Sequence, residues 1–149
     1  MGVRNKSMKI NFYENIEDSL LKFAVIISKY HEKWVFCRHR ERDTYEIPGG
    51  HREPNESIAE TAKRELIEET GALDFSISPV CAYSVTGKNR VNQSGEETYG
   101  MLYFAEIRAF SEHIESEIEE IRLFEDMPAA LTYPAIQPFL MEEYQRRAK

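Results

Sequence analysis

The sequence predicts one domain of mixed α/β layers. Three observations carry that reading. An apolar strand pair precedes a strongly capped amphipathic helix, two more strands follow it, and a second amphipathic helix closes the chain. At 149 residues the chain has the length of one ordinary domain. No internal repeat, low-complexity tract or Pro/Gly/Ser linker divides it.

The elements follow in order. A polar leader, Gly2 to Ser7, precedes Met8, and the natural start is left open between Met1 and Met8. Leu21 to Ser28 is apolar and β-branched, which predicts a strand. Tyr30 to Lys33 is turn-like, and Trp34 to His39 forms the return strand of a hairpin. Tyr45 to Ile47 is a short extended segment stopped by Pro48-Gly49-Gly50. Ser57 to Thr70 is the clearest helix. Ser57-Ile58-Ala59-Glu60 is a capping box, in which the serine and glutamate side chains satisfy orphan N–H groups. Gly71 suits the left-handed position past the helix end. Ile58, Ala62 and Leu66 recur every four residues and line its core face. Ser78 to Thr86 and Tyr99 to Ile107 are predicted strands joined by a polar loop, Gly87 to Thr98. Ile121 to Phe124 is a further short strand. Pro134 to Arg147 is a C-terminal helix with an irregularity expected at Pro138.

Composition narrows the function classes. The chain carries 19 basic and 26 acidic residues, a formal net charge of −7. An acidic chain is a poor electrostatic partner for nucleic acid. The apolar run Leu20 to Ile27 contains Lys22 and falls far short of the ~20 residues that span a bilayer. Glu14, Glu17 and Asp18 just upstream do not fit a signal peptide. Cys37 and Cys81 form no CxxC pair, so two buried free thiols are expected. Together these features predict a cytoplasmic protein.

The chemistry concentrates between Gly50 and Ala72. Glu65, Glu68 and Glu69 lie at i, i+3 and i+4 of the predicted helix and share one face. Three carboxylates there repel one another unless the face is solvated or holds cations. Hard cations such as Mg²⁺ take oxygen ligands and are often shared with substrate phosphates. Taken alone, a glutamate-rich helix face most often faces solvent. The register from Gly50 through Glu56, Arg64, Glu65, Glu68, Glu69 and Gly71 is far more specific.

That register, GHREPNESIAETAKRELIEETGA, resembles the Nudix box, GX5EX7REUXEEXGU, where U is a bulky aliphatic residue. Gly50, Glu56, Arg64, Glu65, Leu66, Glu68, Glu69 and Gly71 match, and Ala72 is a soft departure at the last aliphatic position. Glu46-Ile47-Pro48-Gly49 resembles the family's lead-in, although Ile47 stands where an aromatic is frequent. The resemblance implies a Nudix-type α/β/α sandwich around a central mixed β-sheet. It implies a Mg²⁺-dependent pyrophosphohydrolase, with Mn²⁺ as an alternative ion, cleaving a nucleoside diphosphate-linked substrate. Water activated by the metal would attack phosphorus.

Carried over residue by residue, Glu65, Glu68 and Glu69 are implied metal ligands, joined by the Gly50 carbonyl. Arg64 would orient the glutamates, and Glu56 would support the loop and helix. Glu120 is the first choice of general base outside the box, beside Glu119, with a solvated acidic face over Glu115, Glu117, Glu119 and Glu120 as the plain alternative. Arg40, and with it Arg38, would meet substrate phosphate; surface arginines beside Glu41 and Asp43 are the alternative. Lys88 and Arg90 in the polar loop, and His39 and His51 beside the box, are weaker candidates. Tyr83, Tyr99 and Tyr103 would stack a base or fill the core, and Trp34 is expected to pack.

Two competing classes use the same fold. A nucleotide-sensing domain would keep the pocket without turnover, but such domains lose box carboxylates that this chain retains. A prenyl diphosphate isomerase would need a cysteine-centred site that Cys37 and Cys81 do not suggest. No sub-family signature for ADP-ribose, dinucleoside polyphosphates or coenzyme A is met, so nucleoside triphosphates, ordinary or oxidised, are the default substrate. RNA ends remain an alternative without a basic track to hold them. The resemblance leaves a homodimer open. Cations bound at the glutamates would make an acidic protein locally cationic.

Overall fold

The computed structural model describes residues 8–88, 93–112 and 118–148. The leader Gly2 to Ser7, Arg90, Glu115 and Glu117 lie outside them, as does the side chain of Glu119. The strands are β1 (Lys9–Tyr13), β2 (Leu21–Tyr30), β3 (Lys33–His39), β4 (Gly49–His51), β5 (Ala72–Thr86), β6 (Thr98–Phe110) and β7 (Ile118–Phe124). The helices are α1 (Ile58–Thr70) and α2 (Gln137–Arg147). The strands form one mixed sheet in the order β1-β5-β6-β2-β3-β7, with β4 paired to β2. Among the described strands, only β2 and β6 pair in parallel.

The two sheet faces bury separate cores, because alternate residues of a strand point to opposite sides. Ala24 and Ile26 of β2 join Tyr103, Ala105 and Ile107 of β6 beneath Ile58, Ala62 and Leu66 of α1. Val25 and Ile27 instead join Tyr83, Val85 and Leu102 beneath Ile136, Leu140 and Met141 at α2. The sheet therefore lies between the two helices, as the implied α/β/α sandwich requires.

Helix α1 forms for local reasons. The Glu60 N–H donates to Ser57 Oγ at 3.1 Å, and the Ser57 N–H donates to Glu60 Oε1 at 2.8 Å. Gly71 ends the helix at φ 74°, where a side chain would be strained. Helix α2 starts three residues later than expected. Pro138 sits in its first turn, where no N–H is needed, so it begins the helix and does not distort it.

Strand β1 has no counterpart in the sequence reading, because KINFY is short and follows a polar leader. It gains its place by pairing with β5, Phe12 opposite Tyr83. Strands β5 and β6 run longer than expected. Asp74 and Ser76, before the expected start at Ser78, look turn-like in sequence, yet Phe75 and Ile77 alternate with them and pack on the α1-side core.

One irregularity positions the site. Strand β2 pairs with β3 only at Lys29 and Tyr30. Further along, Phe23, Ala24 and Val25 pair instead with β4. Residues 45–51 fill the gap: Glu46 pairs with Cys37 of β3, and the Ile26 N–H donates to the Pro48 carbonyl at 2.8 Å. Gly49 and Gly50 therefore do not merely stop a strand; they enter the sheet. A Cβ on Gly49 would lie 2.5 Å from the Ala24 carbonyl oxygen, so only glycine allows this approach.

No helix among the described residues is long and apolar enough to cross a membrane. Leu66 is fully buried where α1 meets the sheet, whereas Leu73 is 67% exposed. Leu66→Ala is expected to lower the unfolding free energy by about 2–5 kcal/mol in urea titration. Leu73→Ala should stay within about 0.5 kcal/mol.

Candidate active site

The glycine segment and α1 face each other, and one arginine joins them. Arg64 Nε donates to Glu56 Oε2 at 2.6 Å, and Arg64 Nη2 donates to Glu56 Oε1 at 3.0 Å. Nη2 also reaches the His51 carbonyl at 2.9 Å. Nη1 donates to Glu65 Oε2 at 3.0 Å and to Glu68 Oε1 at 3.4 Å. The expected orienting role of Arg64 thus has a physical form: it ties β4, the following loop and two helix glutamates to one planar group. The loop has a second anchor that the sequence reading missed. Arg52 donates to Asp18 Oδ2 at 2.8 Å, to the Leu21 carbonyl at 3.1 Å and to the Glu56 carbonyl at 2.7 Å.

The three helix glutamates are not equivalent. Glu65 and Glu69 are each 9% exposed and face the glycine segment. Glu68 stands at the rim with its side chain half exposed. A Cβ on Gly50 would fall 2.2 Å from Glu65 Oε2, so the missing side chain is what gives that carboxylate room. Burial pushes the Glu65 carboxyl up to about 7, and the charge of Glu69 pushes the same way. Glu69 Oε1 accepts the Gly49 N–H at 2.9 Å and the Cys37 thiol at 3.8 Å. Both cysteines are buried and free, as expected.

Among the described residues, no three His, Cys, Asp or Glu side chains already form a closed ligand set. Two buried carboxylates beside a glycine cradle nevertheless suit a hard divalent cation, which keeps several waters and shares substrate phosphates. The raised Glu65 reports the same need, since a nearby cation would favour its charged form.

A cavity of about 270 Å³ opens beside Glu69. It runs past Gly49 and Gly50 to the α2 side, where Tyr83, Val85, Thr98, Tyr133 and Gln137 line it. Phe23 forms part of the wall, its ring 5.7 Å from that of Tyr83 and 6.2 Å from His51. Tyr83 and His51 therefore border the cavity. Tyr103 is buried in the α1-side core, and Trp34 packs edge-on to Tyr144. Tyr99 sits instead beside Tyr13 and Glu97. Gln137 was not singled out in the sequence; its Oε1 accepts the Ile47 N–H at 2.8 Å and so fixes α2 to the segment entering the site.

Arg38 and Glu120 meet each other. They are paired across β3 and β7, and Arg38 donates to Glu120 Oε1 at 2.9 and 3.1 Å. The Tyr45 hydroxyl donates to the other Glu120 oxygen at 3.3 Å. Arg38 holds the Glu120 carboxyl below the usual carboxylate range. Strand β3 ends at His39, which leaves Arg40 exposed in the following turn. His39, a weaker candidate by sequence, lines the cavity with Glu46 and Glu69.

With this geometry in view, comparison with known proteins decides the family. A family model described as NUDIX domain matches residues 20–141. The chain belongs to the Nudix hydrolase family. It is 32% identical over 123 residues to a candidate 8-oxo-dGTP diphosphatase, YtkD, of Bacillus subtilis (strain 168), covering 82% of this chain and 73% of that protein. Among solved structures it resembles the Bacillus subtilis pyrophosphohydrolase BsRppH, with a TM-score of 0.74 and 25% identity over 93% of this chain and 90% of that one. A NUDIX hydrolase from Nitrosomonas europaea shares the fold, with a TM-score of 0.66 and 20% identity over 85% of this chain and 89% of that one.

The Arg64–Glu56 pair makes the Nudix segment acid-sensitive. Arg64 lowers the Glu56 carboxyl from 4.5 to about 2. Its contribution to stability is therefore complete above pH 4.5 and is lost as pH falls toward about 2. Glu56→Gln should flatten the pH dependence of the unfolding free energy over that acid range, measured by urea titration at stepped pH.

Proposed function

We propose that this Nudix hydrolase is a divalent-cation-dependent pyrophosphohydrolase of nucleoside triphosphates, ordinary or oxidised. The observation that carries the reading is the pairing of Glu65 and Glu69 against Gly49–Gly50 at the mouth of the cavity. Glu65 and Glu69 would hold the cation, with Glu68 at the rim and the Gly50 carbonyl as further oxygen donors. Bound there, Mg²⁺ or Mn²⁺ would polarise phosphoryl oxygens and lower the pKa of water. Divalent metals are general among Nudix hydrolases.

The protein's own part is positional, as phosphoryl transfer requires. Arg64 keeps the glutamates turned toward the loop. The Gly49 N–H fixes one oxygen of Glu69. The cavity walls of Phe23, Tyr83 and Ile136 offer apolar surface to a nucleobase and exclude water around it. The likeness to YtkD supports a nucleoside triphosphate; that to BsRppH supports a pyrophosphate-releasing cut. Both oxygens of Glu120 are engaged by Arg38 and Tyr45, which counts against it as the general base.

The test is a substrate panel of dGTP, 8-oxo-dGTP, ADP-ribose and 5′-triphosphorylated RNA, each with Mg²⁺ or with chelator. Turnover of the triphosphates with release of pyrophosphate, abolished by chelator, is expected. Preference for the RNA would move the assignment to RNA ends, and undiminished rates in chelator would overturn cation dependence. Glu69→Gln should lower kcat/KM on the order of 100-fold, measured beside the wild type. An unchanged value would remove Glu69 from the cation site.

A further inference from the structure

A row of ionisable side chains, Arg42, Glu46 and His39, runs along the cavity wall to Glu69, and the box register does not include these three. Arg42 Nη1 donates to Glu46 Oε1 at 2.8 Å. The other Glu46 oxygen lies 3.3 Å from His39 Nε2, and the same nitrogen lies 3.5 Å from Glu69 Oε2. Glu46 is only 6% exposed. Its backbone is locked to β3 by paired bonds with Cys37, at 2.9 and 3.0 Å.

We propose that His39 and Glu46 are positioning residues that set the orientation of the Glu69 carboxylate toward a bound divalent cation. The proposal rests on the cation reading above.

Two physical points support it. First, a glutamate on a helix has three rotatable bonds, and a cation site needs the carboxylate held in one arrangement. The Gly49 N–H and Cys37 fix Oε1, while His39 Nε2 lies 3.5 Å from Oε2 without a formed hydrogen bond, so a donor stands ready on the second side of the group. Partners of ligating carboxylates commonly set metal affinity in this way. Second, Glu46 and Glu69 are both nearly buried and flank one imidazole. Left alone, Glu46 would add a repelling charge beside Glu69. Arg42 offsets that charge from the far side, so that Glu69 keeps its own for the cation.

The test titrates Mn²⁺ into the 149-residue chain and follows free ion by electron paramagnetic resonance, without substrate. His39→Ala is expected to weaken Mn²⁺ binding about 10- to 100-fold. His39→Gln keeps an N–H donor on a side chain of similar reach and should recover most of the loss. Glu46→Gln preserves volume, guards against a folding failure at His39, and should weaken binding in the same direction. Thermal unfolding without metal confirms that each variant is folded. With substrate, the variants should lose kcat while KM for the nucleotide stays within about twofold. Affinities within about twofold of wild type in both His39→Ala and Glu46→Gln would overturn the proposal. So would a His39→Gln variant as weak as His39→Ala, which would reduce His39 to packing. If the unmodified chain itself binds no Mn²⁺, the cation reading fails and this inference falls with it. If the unmodified chain binds Mn²⁺ and the variants match it, only this inference fails.

Discussion

A single guanidinium holds the site together. Arg64 lies on α1, yet its bonds reach the His51 carbonyl on β4, Glu56 in the loop, and Glu65 and Glu68 on its own helix. Without it, loop and helix would still meet through the glycine contacts and through the Thr61 hydroxyl, which donates to Glu56 Oε1 at 2.7 Å, but the buried Glu65 would lose its guanidinium partner. Arginine suits the task because its planar fork serves several acceptors at once while staying charged. The loop's other end is pinned by Arg52, so the segment between β4 and α1 has an anchor at each side.

The second constraint is the parting of β2 from β3. A regular hairpin would have closed the sheet and left the cavity no passage. Because the two strands pair only at Lys29 and Tyr30, residues 45–51 can enter the sheet. That insertion places Gly49 and Gly50 under α1 and places Glu46 and His39 along the same wall. The site is thus a defect in the sheet, stabilised by the pairings that surround it.

How much of this could be read in advance depended on range. Helix α1 was legible because Ser57, Glu60, Gly71 and the Ile58–Ala62–Leu66 stripe are local signals within one element. The box register was legible for the same reason. Strand β1 was not, since KINFY becomes a strand only by meeting β5 more than sixty residues away. Glu46 and His39 were individually visible, but their joint approach to Glu69 depends on the inserted segment. Arg38 and Glu120 are separately plausible functional residues by sequence, and the distance between them along the chain hides that they are cross-strand partners. Pro138 shows the opposite lesson, because the same residue interrupts a helix or begins one according to where the first turn falls.

The tethers at the chain's two ends bear on where the folding unit stops. Asp18, which accepts from Arg52, lies before the matched span of 20–141, as does all of β1. Arg147, at the end of α2, pairs with Glu14 at 2.9 Å, and both lie outside that span. A chain trimmed to the recognisable family segment would keep every box residue. It would lose an edge strand, a clasp between its two ends and the Asp18 partner of Arg52, which would keep only its carbonyl acceptors Leu21 and Glu56. The boundary set by likeness to relatives is narrower than the boundary set by mechanics.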